Sequence, residues 1–265
     1  MGMIFDTHAH YDDPAFDDDR EELLETLFSG EVCGIVNQGT NLKTAAESIR
    51  LAESYPGMYA AVGIHPECAD ENSLGELEEI RRMAAHRKVV AIGEIGLDYY
   101  YDIPKKLQQE LFVRQLELAC ELSLPVTIHD REAHGDTMTF LRQYRPQGIL
   151  HCFSGSVEMA REVVGLGMYI GIGGVVTFRN ARKSVEVVEA LPLERLVLET
   201  DCPYLSPVPF RGKRNDSGRI RYTAEAVAAI KGVTAEEVLR ITKENAGRVY
   251  RIGIAGTGEQ TGGAL

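Results

Sequence analysis

Short apolar runs recur along this 265-residue chain, and five of them stop on a side chain that binds metal ions. They are Ile4-Phe5-Asp6-Thr7-His8-Ala9-His10, Val90-Ala91-Ile92-Gly93-Glu94, Val126-Thr127-Ile128-His129, Gly148-Ile149-Leu150-His151 and Leu196-Val197-Leu198-Glu199-Thr200-Asp201. Such runs read as strands, and side chains two apart on a strand share a face, so His8 and His10 can reach one ion together. A lone His-x-His is as readily a surface pair; four further strand ends of the same character are hard to assign to chance. The fold therefore has to bring several strand ends to one place.

Apolar strands and amphipathic helices alternate from end to end. Strands are expected near 4–10, 34–37, 59–64, 89–94, 125–129, 148–151, 169–176 and 195–201. Among the helices between them, one opens at the acidic run 17–22, and others cover about 42–54, 73–86 and 104–123. A last one runs to Tyr250 from the capping-box spacing Thr234-x-x-Glu237. Eight strands, each followed by a helix with no break in composition, predict one α/β domain over residues 1–253, a (β/α)8 TIM barrel. Residues 254–265 read as a flexible glycine-rich tail. A doubly wound open sheet has the same element count but would scatter ligands carried by strands one, four, five, six and eight. A closed barrel gathers them at one mouth.

Composition then removes several function classes. The five cysteines, Cys33, Cys68, Cys120, Cys152 and Cys202, are odd in number and include no Cys-x-x-Cys pair. That argues against a disulfide scaffold or zinc ribbon and for a reducing cytosol. No leader-like segment or membrane-spanning run of about 18 apolar residues is evident, so a cytoplasmic protein without a membrane partner is expected. A net charge of −12 excludes coating long nucleic acid by a general field. It leaves room for a phosphodiester held at one cationic pocket, where bound divalent ions reverse the local sign.

His8, His10, Glu94, His129, His151 and Asp201 together supply four imidazoles and two carboxylates, enough for two divalent ions with a carboxylate between them. The nitrogen and oxygen donors suit zinc, manganese, cobalt or magnesium. Cys152 and Cys202 each follow a ligand and so face the helix layer by strand alternation, as packing thiols. His65 ends the third strand, placed either to contact a phosphate or donate a proton, or to serve structurally before Pro66; His86 and His134 read as solvated or rim residues. Segment 211–221 sets Arg211, Lys213, Arg214, Arg219 and Arg221 against Asp216 alone. Hanging beside the proposed metals, it reads as a phosphate clamp, with a solvated basic loop as the plainer alternative. Gly155-Ser156 at a helix start can add backbone donors for an anion. Gly171-Ile172-Gly173-Gly174 lacks the dinucleotide spacing, and Ser154 lacks a nucleophile elbow.

Taken in order, the motifs are Asp6-Thr7-His8-Ala9-His10, Gly63-Ile64-His65-Pro66, Gly93-Glu94-Ile95-Gly96-Leu97-Asp98 and His129-Asp130-Arg131. They continue with His151-Cys152-Phe153-Ser154-Gly155, Glu199-Thr200-Asp201-Cys202-Pro203-Tyr204 and Arg211-Gly212-Lys213-Arg214-Asn215. From about residue 4 to 251 the chain resembles the TatD-like metal-dependent deoxyribonucleases of the amidohydrolase-like barrels. The resemblance implies that His8 and His10 hold one ion, that Glu94 bridges, and that His129 and His151 complete the second. It implies that Asp201 binds metal or orients and deprotonates the water. Glu94 stands where other barrels of that superfamily use a carboxylated lysine, which frees the site from carbon dioxide. The expected activity is hydrolysis of DNA phosphodiesters from an end, RNA ends being a further substrate. The alternative is a metal-dependent ester or amide hydrolase, such as an aminoacyl-nucleic-acid deacylase; a barrel that only binds is disfavoured by the complete ligand set.

Overall fold

The computed structural model describes residues 3–253; the expected tail at 254–265 lies outside the described residues. Eight parallel strands pair in chain order: β1 (Ile4–Ala9), β2 (Val32–Gln38), β3 (Met58–Val62), β4 (Val89–Asp98), β5 (Val126–Arg131), β6 (Gly148–Leu150), β7 (Tyr169–Ile172) and β8 (Leu196–Leu198). A parallel bridge between Ala9 and Cys202 closes the ring, with Asp201 N–H on His8 O and His10 N–H on Cys202 O, both at 2.9 Å. Around it lie α1 (Arg20–Ser29), α2 (Leu42–Ser54), α3 (Ser73–Ala84), α4 (Lys105–Leu122), α5 (His134–Tyr144), α6 (Val157–Gly165), α7 (Arg182–Ala190), α8 (Ile220–Lys231) and α9 (Ala235–Tyr250). The chain is a (β/α)8 barrel.

Local chemistry accounts for the helix ends. Asn41 and Thr44 form a reciprocal capping box on α2, and the Thr234 hydroxyl accepts from Glu237 N–H at the start of α9. Gly232 ends α8 with a φ of 70°, the left-handed turn glycine takes at no steric cost. Two apolar layers result. Phe5, Val36, Ala61, Ala91, Ile149 and Val197 come from different strands and meet inside the barrel, where Tyr250 of α9 joins them and donates to Thr7 O at 3.0 Å. Ile4, Ile35, Ile92 and their neighbours face outward into the larger core with the helices.

Strict alternation from Ile4 and Asp6 would send His8 and His10 outward as well. The register shows why it does not: Asp6 pairs with Ile35 but Ala9 with Asn37, three residues against two. This β-bulge re-aims the end of β1 toward the mouth. β4 has the same irregularity, Ile92 and Ile95 opposing Val126 and Ile128, and it turns Glu94 inward. β4 also runs four residues past its expected end, to Asp98. β7 and β8 stop earlier than expected. Gly174–Thr177 form a 3₁₀ turn under the crossing 205–207 segment, which a Cβ on Gly174 would meet at 2.4 Å.

Candidate metal centre

The mouth of the barrel collects residues from six strand ends. His8 and His10 bring their Nε2 atoms to 3.1 Å of one another. Asp201 Oδ1 lies 3.6 and 3.4 Å from them, and Glu94 Oε2 lies 3.3 and 3.5 Å from them. These four donor atoms face one another with spacings of 3.1 to 3.6 Å. A tetrahedral ion bound at about 2.0–2.1 Å has ligand-to-ligand edges of about 3.3 Å, so this set fits a divalent metal.

The other oxygen of Glu94 serves a second set. Oε1 lies 2.8 Å from His151 Nε2, 3.2 Å from His129 Nδ1 and 3.5 Å from His65 Nε2, and the His129 and His151 nitrogens are 3.3 Å apart. Glu94 thus stands between two clusters with one oxygen on each, and is 3% exposed. The rings of His8 and His151 stack at 3.8 Å between centroids, 9° from parallel, and tie the two sets together.

Hydrogen bonds assign the tautomers. His129 Nε2–H donates to buried Asp98 Oδ2 at 2.9 Å, which turns Nδ1 toward Glu94 as the nitrogen that is free to bind a metal once its proton is lost. A carboxylate behind a ligating histidine is the usual way such a ring is fixed. His65 Nδ1 accepts from Glu67 N–H at 3.1 Å, so its Nε2 carries the proton and points at Glu94 as a donor. Glu199 Oε1 accepts from Cys152 N–H at 2.5 Å and lies 3.8 Å from His151 Nδ1. Glu199 Oε2, His8 Nδ1 and His151 Nδ1 are buried without a hydrogen-bond partner. Gly171 makes room for this carboxylate: a Cβ there would stand 2.3 Å from Glu199 Oε2.

Burial and neighbours set the charges. Burial lowers the His8 imidazole to about 4, with help from nearby His151. For His10 burial acts in the same direction but is overcome by Asp201 and Glu94, which push it up to about 9. Burial is likewise overcome at His129, where Asp98 and Glu94 push it up to about 10. The Glu94 and Asp201 carboxyls are burdened by burial, yet the surrounding imidazoles hold both well below the usual range. Burial raises Glu199 to about 8.

All six residues expected as metal ligands thus come together, with His65 beside them. The basic segment divides. Arg214 is bidentate to Asp19 at 2.7 and 2.6 Å, Arg219 pairs with Asp216 at 3.0 Å, and Arg221 pairs with Glu31. Arg211 lies over the Phe178 ring at 4.4 Å, and neither it nor Lys213 has an ion-pair partner among the described residues. Arg211, Lys213 and Arg214 line one cleft of about 610 Å³. His134 Nδ1 pairs with Asp130 at 2.7 Å and His86 with Glu53 at 3.2 Å, both away from the centre. Cys202 is buried in the outer core, Cys152 is half-buried, and all five thiols are free. Asp98 and Glu199 carry no expectation from the sequence. For Asp98 the signal was present: Glu94, Gly96 and Asp98 alternate along one face once β4 is run to its observed end.

Comparison with known proteins agrees with this geometry. The model of the family described as TatD related DNase matches residues 5–251. The "uncharacterized metal-dependent hydrolase YabD" of Bacillus subtilis is 46% identical over 94% of this chain and its own full length. The "3'-5' ssDNA/RNA exonuclease TatD" of Escherichia fergusonii is 34% identical over 94% of this chain and 99% of its own. The crystal structure of YjjV, a TatD homologue from Escherichia coli, superposes with a TM-score of 0.87 at 34% identity, covering 95% of this chain and 99% of its own. The chain belongs to the TatD-related DNase family and is a metal-dependent hydrolase.

Proposed function

We propose that this hydrolase holds two divalent ions and uses them to cut phosphodiester bonds of DNA, and of RNA, from a strand end. The observation that carries the two-ion reading is Glu94, whose oxygens lie 3.3 and 3.5 Å from His8 and His10 on one side and 2.8 and 3.2 Å from His151 and His129 on the other. His8, His10 and Asp201 would hold one ion, His129 and His151 would hold the other, and Glu94 would offer one carboxylate oxygen to each. When bound, such a pair acidifies a water and neutralises charge on the phosphoryl oxygens.

The chain's own groups do the rest. Asp201, beside His8 and His10, orients the attacking water and relays its proton. The O–P bond to that water forms as the bond to the leaving ester oxygen breaks, and the departing oxygen takes up the proton that Asp201 received from the water. His65 Nε2–H, which points at Glu94 across 3.5 Å in the protein alone, turns from that carboxylate to donate to a phosphoryl oxygen of bound substrate. Arg211 and Lys213 supply positive charge for the substrate's phosphates, while Arg214, expected beside them, is taken up by Asp19, and this suits an end-acting enzyme of net charge −12. The name borne by the Escherichia fergusonii relative, 34% identical, supports nucleic acid as substrate. Five free thiols suit a reducing cytosol, and among the described residues no helix is long and apolar enough to cross a membrane.

Metal-stripped protein given magnesium, manganese or zinc singly, and assayed on end-labelled single-stranded DNA and RNA, tests this reading. Stepwise shortening that requires metal and disappears in Glu94→Ala and Asp201→Ala supports it. Intact DNA and RNA under every metal, with the ions tightly bound, would overturn it in favour of ester or amide substrates at the same centre.

A further inference from the structure

Four large apolar side chains of the described chain are prominently exposed, and three of them, Tyr204, Leu205 and Val208, sit on the loop that follows the metal-facing Asp201. Tyr204 N–H closes a turn on Asp201 O at 2.9 Å, so its ring, 54% exposed, leaves the backbone one turn after that carboxylate. The ring is held rather than free: its hydroxyl donates to Asp13 Oδ2 at 2.7 Å, and Asn215 Nδ2–H donates to the Tyr204 carbonyl at 2.8 Å. Together with Leu205 and Phe178 it walls the 610 Å³ cleft, whose volume is that of a small-molecule site. The loops that form the cleft follow β1, β7 and β8, the same edge of the mouth that carries His10 and Asp201.

Charge completes the description. Arg211 and Lys213 face this cleft without an acidic partner among the described residues, in a protein of net charge −12. The one acid among the lining residues, Asp13, is engaged by the Tyr204 hydroxyl and by Ala15 N–H at 2.7 Å. A fixed aromatic face with apolar walls and two uncompensated cations is the combination that holds a base and its phosphate together. A small acyl or amide substrate without a phosphate has no use for the cations, and in a duplex end the terminal base is paired and stacked on its neighbour, so it cannot enter the cleft alone.

Building on the nucleic-acid reading above, we propose that this cleft is a nucleoside site. The terminal base of a single strand stacks on Tyr204 between Leu205 and Phe178, Arg211 and Lys213 hold its phosphate, and the neighbouring phosphodiester is thereby laid beside Asp201 and the metal centre. Every base has a π-face, so the site selects single-stranded over duplex ends with little regard to sequence.

The test measures binding of a phosphorothioate-linked ten-residue single-stranded DNA to the metal-loaded protein by fluorescence anisotropy, with intact ends, with an abasic terminal residue, and as a blunt duplex. Tyr204→Ala is expected to weaken binding about tenfold at unchanged metal content, and Tyr204→Phe, which keeps the ring, to restore most of it. An abasic terminus should cost the wild type the same factor and Tyr204→Ala nothing more. Replacing Arg211 and Lys213 with Ala should flatten the dependence on salt. Equal binding of intact and abasic ends, unaltered affinity in Tyr204→Ala, or a blunt duplex bound as tightly as the single strand would overturn the nucleoside site. If the protein still cleaves DNA in that event, the hydrolase reading stands without it; a wild type that neither binds nor cuts DNA or RNA removes both.

Discussion

His129 looks two ways, with Nδ1 toward Glu94 at 3.2 Å and Nε2–H on Asp98 at 2.9 Å. Asp98→Asn keeps the shape but weakens the acceptor that orients this ring. Second-sphere partners of this kind are worth about 10–100-fold in metal affinity. That loss is expected for the ion on His129 and His151, while the ion on His8, His10 and Asp201 is held nearly as before; competition with a chelator in two steps distinguishes the two sites. Glu199→Gln is expected to weaken both ions together, because this one carboxylate lies behind the stacked rings of His8 and His151. Loss confined to one ion would contradict that placement. The clustering of the six candidate ligands was legible in the sequence, since each is a metal-binding residue type at or near the end of an apolar run. Glu199 was not, because a residue that acts through another carries no ligand spacing of its own, and Asp98 would have been only if β4 had been run four residues further along its alternating face.

At the scale of elements, the barrel was legible from the alternation of strands and helices, whereas the two bulges that aim His8, His10 and Glu94 were not. An extra residue in one strand of a pair is a property of register, and register belongs to two strands at once. The early ends of β7 and β8 have a similar origin, set by the crossing 205–207 segment and by the bonds that the Thr200 N–H and hydroxyl donate to the Asp6 carboxylate at 3.0 and 2.6 Å. Gly96 carries the clearest prediction here. Its φ is 141°, and a Cβ would stand 2.0 Å from His129 O across the β4–β5 pair. Gly96→Ala is expected to cost more than about 1 kcal/mol in urea unfolding and to loosen the ion next to His129. A variant as stable as the parent would show that β5 yields without cost.

For the whole molecule, the proposed function divides the work between a net charge of −12, whose general field would disfavour long duplexes, and Arg211 and Lys213 on one edge of the mouth. The metal-free protein also has a definite proton content. Asp201 and Glu94, acting against burial, push His10 up to about 9, and Asp98 and Glu94 push His129 up to about 10, so both rings are protonated at neutral pH. A metal needs their lone pairs, so loading must expel these protons and affinity must rise with pH through this range. Calorimetry at pH 7 in buffers of different ionisation enthalpy should register the release. A proton count of zero would contradict the assigned charges.

The two-ion centre astride Glu94 is tested most directly by adding manganese in sub-stoichiometric steps to metal-stripped protein, with bound ion and cleavage of end-labelled single-stranded DNA followed in the same samples. A bridging carboxylate with a donor set on each oxygen expects two ions per chain, with cleavage rising only as the second site fills. Full activity at one ion per chain, with the second adding nothing, would contradict it.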